Sequence, residues 1–371
     1  MSHPGLVALL LTQDRGGPVD LTVALAREVA GRADAPRVVV IGPEPVSSAG
    51  SLGELHAPAE VSSKTDLGGR RRWLATLEHL APDLVHAQDK RSGLLCATTR
   101  LKARTVLTYH GVPDDVPAEW MLEHAAASGP GSRTRAVFAA DALVARRLDA
   151  VAAPSPYMAR FLLRRLRVPS AKVSVLPNGV PLLDVKPRPR QVRTLVFVGG
   201  LVPAKSVTTL VTAFSMVAGD RPELRLRLVG DGSDRTALEA QISQAGLGDR
   251  VDVVGYRRDV PQQLAAADCF ILPSVNENQP LALIEAMAAG LPCIASAVGA
   301  VPDLLEDGAG ILVEPGDPQQ LADAIARLAD DSSLAAELGQ VAAARARSGH
   351  SIEACADAHL ALWERLHHAS R

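Results

Sequence analysis

Short apolar runs alternate along this chain with longer stretches in which apolar residues recur at helical spacing. Leu6–Leu11 is followed by Val19–Ala30 and Val38–Ile41, and Leu84–His86 by Gly93–Leu101 and Val106–Tyr109. Val151–Ala153 is followed by Tyr157–Leu166 and Val173–Leu176. Continuous apolar strands separated by amphipathic helices predict a parallel sheet covered on both faces. A proline cluster at Pro177, Pro181, Pro187 and Pro189 then reads as an extended connection. The alternation restarts with Leu195–Val198 before Val207–Val217, Leu224–Val229 before Thr236–Ala245, and Val251–Val254 before Val260–Ala267. Cys269–Leu272 leads into Leu281–Ala289 and then Cys293–Ala295, and three helical segments close the chain: Gln319–Leu328, Leu334–Arg347 and Ile352–His367. No internal repeat is visible. The longest weakly polar run, Ala286–Pro302, contains Gly290, Pro292 and Ser296, and reads as a helix followed by a buried strand. A membrane span would need about 20 apolar residues.

The fold class that follows is α/β, with two doubly wound, Rossmann-like domains. The expected division is 1–180, a linker over 181–192, a second domain over 193–350, and a final helix at 351–371. A length of 371 residues suits two domains. Ligands of such sheets bind beyond the C-terminal ends of the strands, and a cleft between two such domains is a preferred place for a small molecule. Chemistry is therefore expected in the strand-end loops.

Composition narrows the function classes. With 47% hydrophobic and 22% charged residues the chain is an ordinary globular one. A net charge of −2 and 3% aromatics argue against a nucleic-acid binder. Residues 1–185 carry 22 basic and 18 acidic side chains, the remainder 17 and 23, so the first half is the one suited to an anionic partner or surface. Cys96, Cys269, Cys293 and Cys355 are scattered and form no C-x-x-C pair. They read as reduced thiols, and with no evident signal peptide they predict a cytoplasmic protein.

The sharpest motif is Glu277-Asn278-Gln279-Pro280-Leu281-Ala282-Leu283-Ile284-Glu285-Ala286, which follows a strand and the turn Pro273-Ser274. Pro280 suits the first turn of a helix, whose N-terminal N–H groups attract anions and hydroxyls. Glu285 falls inside that helix among apolar residues, where a carboxylate needs partners that ligand hydroxyls would supply. The bland reading is that both glutamates are solvated or cap the helix. The second motif is Phe197-Val198-Gly199-Gly200-Leu201-Val202-Pro203-Ala204-Lys205-Ser206, in which a strand ends in two glycines and a lysine opens the next helix. It misses a Walker A loop, because Ala204 stands where the second glycine belongs and Pro203 interrupts the run of N–H groups. A G-x-G-x-x-G fingerprint is absent as well. The bland reading of Lys205 is a solvated helix-start lysine.

These motifs, with Val229-Gly230-Asp231-Gly232, Val254-Gly255, Asp259-Val260, Ala266-Ala267-Asp268, Leu272-Pro273-Ser274 and Pro177-Asn178-Gly179-Val180 in the same order, resemble retaining family 4 glycosyltransferases of the GT-B fold. Glu277 and Glu285 stand at that family's E-x7-E spacing. The resemblance implies a 1–180 domain that binds the acceptor and a 193–350 domain that binds a nucleotide-diphosphate sugar, facing one another across a cleft. It implies that the final helix at 351–371 packs back on the first domain, that Glu285 holds the donor ribose and that Glu277 sits by the transferred sugar. Asn278, Gln279, Pro280 and Leu281 would contact the sugar or phosphate. Lys205, on the loop after Gly199 and Gly200, would bind the diphosphate. Gly16 and Gly17 resemble the family's glycine loop, and His110 its first-domain histidine near the reacting sugar.

One position departs from the family pattern. Gly200 stands where an arginine usually clamps the diphosphate, and Arg15 and Arg257 are the candidates to compensate. The expected activity is transfer of a hexosyl group, with retention, from a nucleotide-diphosphate sugar to a lipid, saccharide or small-molecule acceptor. Neither a cofactor nor a metal is expected, since no D-x-D lies in a suitable loop. A non-catalytic nucleotide-sugar binder and a GT-B epimerase or phosphorylase are the alternatives left open. The basic segments Arg70-Arg71-Arg72 and Arg160–Arg167 read as solvated helix faces or, alternatively, as peripheral contacts with the inner face of a membrane.

Overall fold

The computed structural model describes residues 3–47, 50–63, 66–113, 116, 118–121, 129–182 and 191–369. The chain divides into two compact units, Met1–Pro181 with Ile352–Arg371, and Leu182–Ser351. The linker expected at 181–192 lies mostly outside the described residues.

The first unit is built on β1 (Leu6–Leu10), α1 (Gly17–Ala30), β2 (Arg37–Gly42), β3 (His56–Pro58), α2 (Leu67–Leu80), β4 (Leu84–Ala87) and α3 (Lys90–Ala97). It continues with β5 (Arg104–Thr108), α4 (Ala118–Met121), α5 (Ser132–Arg147), β6 (Ala150–Ala153), α6 (Pro156–Arg164) and β7 (Val173–Val175). Among the described residues its seven strands lie in the order β3-β2-β1-β4-β5-β6-β7, every pair parallel. The strand order reverses between β1 and β4, where Leu9 is paired on one side with Val40 and on the other with His86. Val7, Ala8, Leu9 and Leu10 are fully buried, which is why β1 reads as one unbroken apolar run.

The second unit repeats the plan with β8 (Thr194–Val198), α7 (Val207–Ala218), β9 (Arg225–Val229), α8 (Arg235–Gln244), β10 (Val251–Gly255), α9 (Val260–Ala265) and β11 (Cys269–Leu272). Then come α10 (Leu281–Ala288), β12 (Cys293–Ser296), α11 (Val301–Leu304), β13 (Ile311–Val313), α12 (Pro318–Asp330) and α13 (Ser332–Gly349). The parallel order β10-β9-β8-β11-β12-β13 reverses between β8 and β11. Leu195, Val196 and Phe197 on β8 and Phe270 and Ile271 on β11 are fully buried between the helical layers.

The last helix, α14 (Ile352–His368), belongs to the first unit. Ile352 N donates to Val180 O at 2.9 Å, and Arg32 on α1 reaches Asp357 at 2.5 Å and the Glu353 carbonyl at 3.0 Å. Trp363, fully buried, donates through Nε1 to His86 Nδ1 at 3.1 Å.

Several elements differ from the sequence expectation. The helix expected at Gly93–Leu101 runs instead from Lys90 to Ala97. The polar Asp89-Lys90-Arg91-Ser92 is a capping box in which Asp89 accepts from Ser92 N at 2.8 Å and Ser92 Oγ from Asp89 N at 3.2 Å. The helices α2 and α5 lack a broad apolar stripe: α2 buries only Gly69, Trp73 and Leu77, and α5 only Thr134, Phe138 and Ala145. The edge strands β3 and β13 are three residues each, too short to show a period. No helix among the described residues is long and apolar enough to cross a membrane.

Candidate functional site

In the second unit, the residues singled out from sequence gather where the strand order reverses. The chain leaves β8 through Gly199 and Gly200, passes a single 3-10 turn at Pro203–Lys205, and enters α7 only after Ser206, whose backbone is left-handed at φ +46°. Lys205 therefore stands on a separate turn and not at the start of the helix. On the facing loop, Glu277 Oε1 receives Lys205 Nζ at 2.5 Å and Ser274 Oγ at 2.8 Å. The Glu277 carboxylate is nearly enclosed at 8% side-chain exposure, Ser274 is fully buried, and Lys205 retains 26%. The carboxylate end of this pair is shielded from water while the ammonium keeps contact with it, so solvent screens it less than a fully exposed pair.

The backbone around Glu277 is braced from two sides. Val275 N donates to Ala204 O at 2.9 Å, tying the loop to the lysine turn. Ala300 N donates to Asn278 O at 2.8 Å from the loop after β12. Beside it Gly299 has φ +60°, and a Cβ there would collide with the carbonyl of Glu277, so only glycine fits this approach. Asn278 and Gln279 are buried. Pro280 is the N-cap of α10, with φ −71° and ψ 119°, and α10 begins at Leu281. The expectation of Pro280 inside the first turn is corrected by one residue: its ring fixes a φ that suits an extended cap, and its carbonyl accepts from Ile284 N at 3.3 Å. Glu285 is half-buried one turn further on, between Ile284 and Ala286, which are fully buried.

Gly200 is exposed and its φ is not left-handed. A Cβ there would meet only the Val202 methyls at 3.8 Å and Asp231 O at 3.9 Å, ordinary contact distances. Of the two arginines considered as substitutes, Arg257 forks onto Asp259 at 2.7 and 2.9 Å, and Arg15, in the first unit, onto Asp14 at 3.2 and 2.9 Å.

In the first unit, Gly16 is the N-cap of α1 with φ +103° and ψ 171°, a region essentially confined to glycine, and Gly17 opens the helix. His110 lies two residues past β5 and is half-buried. It lines a pocket of about 320 Å³ at the ends of β1, β4 and β5, together with Thr12, Gln88, Asp89 and Lys90. Burial, and then the nearby His359, push the His110 imidazole down to about 4, so it is neutral at pH 7. Behind it lies a cluster that sequence reading missed. His86 Nε2 lies 2.8 Å from Thr108 Oγ1, His359 Nδ1 lies 2.8 Å from the Cys355 carbonyl, and the His86 and His359 rings are 5.5 Å apart. Because Trp363 can only donate, His86 Nδ1 is the acceptor and its proton sits on Nε2, aimed at Thr108. Desolvation holds His86 well below the usual range and His359 at about 4.

Ser274 was also missed as part of the site, although it lies two residues past β11. Its Pro-Ser turn was the available signal. A larger pocket of about 720 Å³, near Asp83 and Arg104, opens at the N-terminal strand ends, the wrong end of a doubly wound sheet for its ligand. Among the described residues no group of three or more histidine, cysteine, aspartate or glutamate side chains is placed to hold a metal ion.

Comparison with known proteins bears on both halves. The description "Glycosyltransferase Family 4" matches residues 15–182, and "Glycosyl transferases group 1" matches residues 192–331. A D-inositol 3-phosphate glycosyltransferase of Thermobispora bispora is 33% identical over 247 residues, covering 59% of this chain and 57% of its own length. A Nocardioides protein of the same description is 28% identical over 386 residues, covering 91% and 82%. The chain spans between 23% and 57% of the first curated relatives it matches. Among solved structures, Anabaena HepE in complex with UDP-glucose superposes with a TM-score of 0.76 at 22% identity, over 97% of this chain and 99% of that one. The two family matches lie in order on the two units and together take in most of the sequence: the chain belongs to the family 4, group 1 glycosyltransferases and has their two-domain, Rossmann-like GT-B fold.

Proposed function

We propose that the protein transfers a hexosyl group from a nucleotide-diphosphate sugar to a hydroxyl acceptor, with retention of anomeric configuration. The observation that carries this is the Lys205–Glu277–Ser274 cluster at the strand-order reversal of the second unit, in a chain of this family. Lys205 is assigned to the diphosphate. An arriving diphosphate brings more negative charge than Glu277 and competes for the ammonium. Glu277, kept in place by Ser274, then stabilises positive charge developing on the sugar, through the Oε2 that neither bond uses. Glu285 is assigned to the ribose hydroxyls, and Asn278, Gln279 and Leu281 to the sugar or phosphate. Gly16, Gly17 and His110, at the strand ends of the first unit, are assigned to substrate there. A neutral His110 can accept a hydrogen bond from a sugar hydroxyl without adding charge. Departure of the phosphate and attack by the acceptor on the same face require no protein nucleophile, and the leaving phosphate takes the acceptor's proton.

Relatives act on D-inositol 3-phosphate and, in one Escherichia coli protein, on a diphosphoundecaprenol-linked sugar. A lipid acceptor would suit the exposed, basic surfaces of α5 and α6. On them Leu143 is 70% exposed, and Leu163, Arg133, Arg146, Arg147, Arg160 and Arg164 are exposed as well.

The experiment is a thermal-shift screen against UDP-, GDP-, ADP- and dTDP-sugars, followed by turnover with the donor that binds and by proton NMR of the product anomer. Glu277→Gln and His110→Ala should lower kcat more than they weaken donor binding, since interactions made mainly in the transition state act on kcat. Donor binding with no hydrolysis or transfer would favour the second reading, a non-catalytic nucleotide-sugar binder. Gly200 in place of the diphosphate arginine is the observation behind that reading.

A further inference from the structure

Gln88 is the first residue past β4, beside the place where the order of the first sheet reverses. Its backbone N–H donates to Leu10 O at 2.9 Å, so the residue is fixed against the end of β1. The side chain is 99% buried and lines the 320 Å³ pocket, yet among the described residues nothing accepts a hydrogen bond from its Nε2. Buried amides in native proteins are almost always satisfied, so such a group in a pocket wall points to a partner that binds there.

The charges in that wall are already matched by the protein. Lys90 pairs with Asp141 at 2.9 Å and lies 4.5 Å over the Tyr109 ring. Asp89 accepts from Thr12 N and Oγ1 and from Ser92 N. Arg91 donates to the carbonyls of Val61 and Ser62. A bound anion would have to break one of these arrangements to gain a cation. A hydroxyl-rich ring needs only hydrogen-bonding groups, which the Gln88 amide and the His110 imidazole supply.

We propose that this pocket takes an uncharged polyhydroxyl ring and that Gln88 Nε2 donates to one of its hydroxyl oxygens. An acceptor that carries a phosphate would keep that phosphate outside the pocket. Equating the ring with the acceptor rests on the transferase reading above; the binding itself does not.

The test is saturation-transfer NMR on the full chain with myo-inositol and D-glucose, alongside phosphorus line-broadening with inorganic phosphate. The wild type should transfer saturation to at least one polyol. Gln88→Met, of similar length but without the donor, should reduce that transfer by about fivefold, the equivalent of one net hydrogen bond. Gln88→Glu, the same size with an acceptor in place of the donor, should reduce it too. Circular dichroism and Tm provide a fold check independent of any nucleotide. Undiminished polyol signals in folded variants, no polyol signal in the wild type, or displacement of the polyol by phosphate would each overturn the proposal. Polyol binding through Gln88 without turnover of any nucleotide sugar would keep this inference and remove the transferase reading. Turnover with ring binding indifferent to Gln88 would do the reverse.

Discussion

Replacing Gly200 by arginine tests whether the missing cation limits donor binding. The backbone there is not left-handed, and a Cβ meets nothing closer than 3.8 Å, so the substitution carries no built-in strain. Asp231, whose backbone carbonyl lies 3.9 Å from that Cβ, already receives Arg235 on its carboxylate at 3.2 Å, which reduces its pull on a new guanidinium. Lys205 is the cation already present on this loop, and Arg257 is forked onto Asp259, which it holds well below the usual carboxylate range. A single hydrogen bond to a charged group contributes about 1.5–3 kcal/mol, which corresponds to roughly 10- to 150-fold in affinity. The lower end is the more relevant one at an exposed position, where solvent screens charge. Isothermal titration of the nucleotide diphosphate into wild type, Gly200→Arg, Gly200→Leu and Lys205→Ala reads the effect. Gly200→Arg should bind about tenfold tighter or better, Gly200→Leu should be near neutral, and Lys205→Ala should be weaker. Equal or weaker binding by Gly200→Arg, with Gly200→Leu unchanged, would refute the missing-clamp argument and place the second cation elsewhere.

Three further expectations follow from single contacts. Glu285→Ala should weaken binding of the bare nucleotide diphosphate in calorimetry, and an unchanged Kd would remove its ribose assignment. Gly299→Ala forces a Cβ into the Glu277 carbonyl at φ +60°, so Tm should fall by an amount equivalent to about 1–3 kcal/mol, and an unchanged Tm would show that the loop simply moves aside. His110 and His359 are held near 4 in the fold against about 6.5 when unfolded, so the unfolded chain binds more protons between those values. Their neutral burial is harmless above pH 6.5 and costs increasing stability as pH falls, reaching roughly 3 kcal/mol each near pH 4. Urea midpoints should therefore drop between pH 7 and 5, and a flat profile there would contradict the buried cluster.

The apolar runs at β1, β4, β8 and β11 were legible because strands buried on both faces carry no polar alternation, and the two halves of the fold could be counted from them. α2 and α5 were not, since each touches the core with only three residues and so shows no broad apolar stripe. The Glu277–Glu285 spacing and the Gly199–Lys205 loop were likewise readable, being contiguous strings that follow strands. Their arrangement was not. Lys205 meets Glu277 across 72 positions, and Trp363 meets His86 across 277. Asp89 fell outside the helix expected at Gly93–Leu101 and is the cap of α3, and Gln88 carried no motif at all. Local pattern records which residues must avoid water, and that is enough to lay down strands and helices. Which polar groups find each other, and which buried amide finds no partner among the described residues, depends on the order in which the parallel strands line up, and that order brings together segments far apart in the chain.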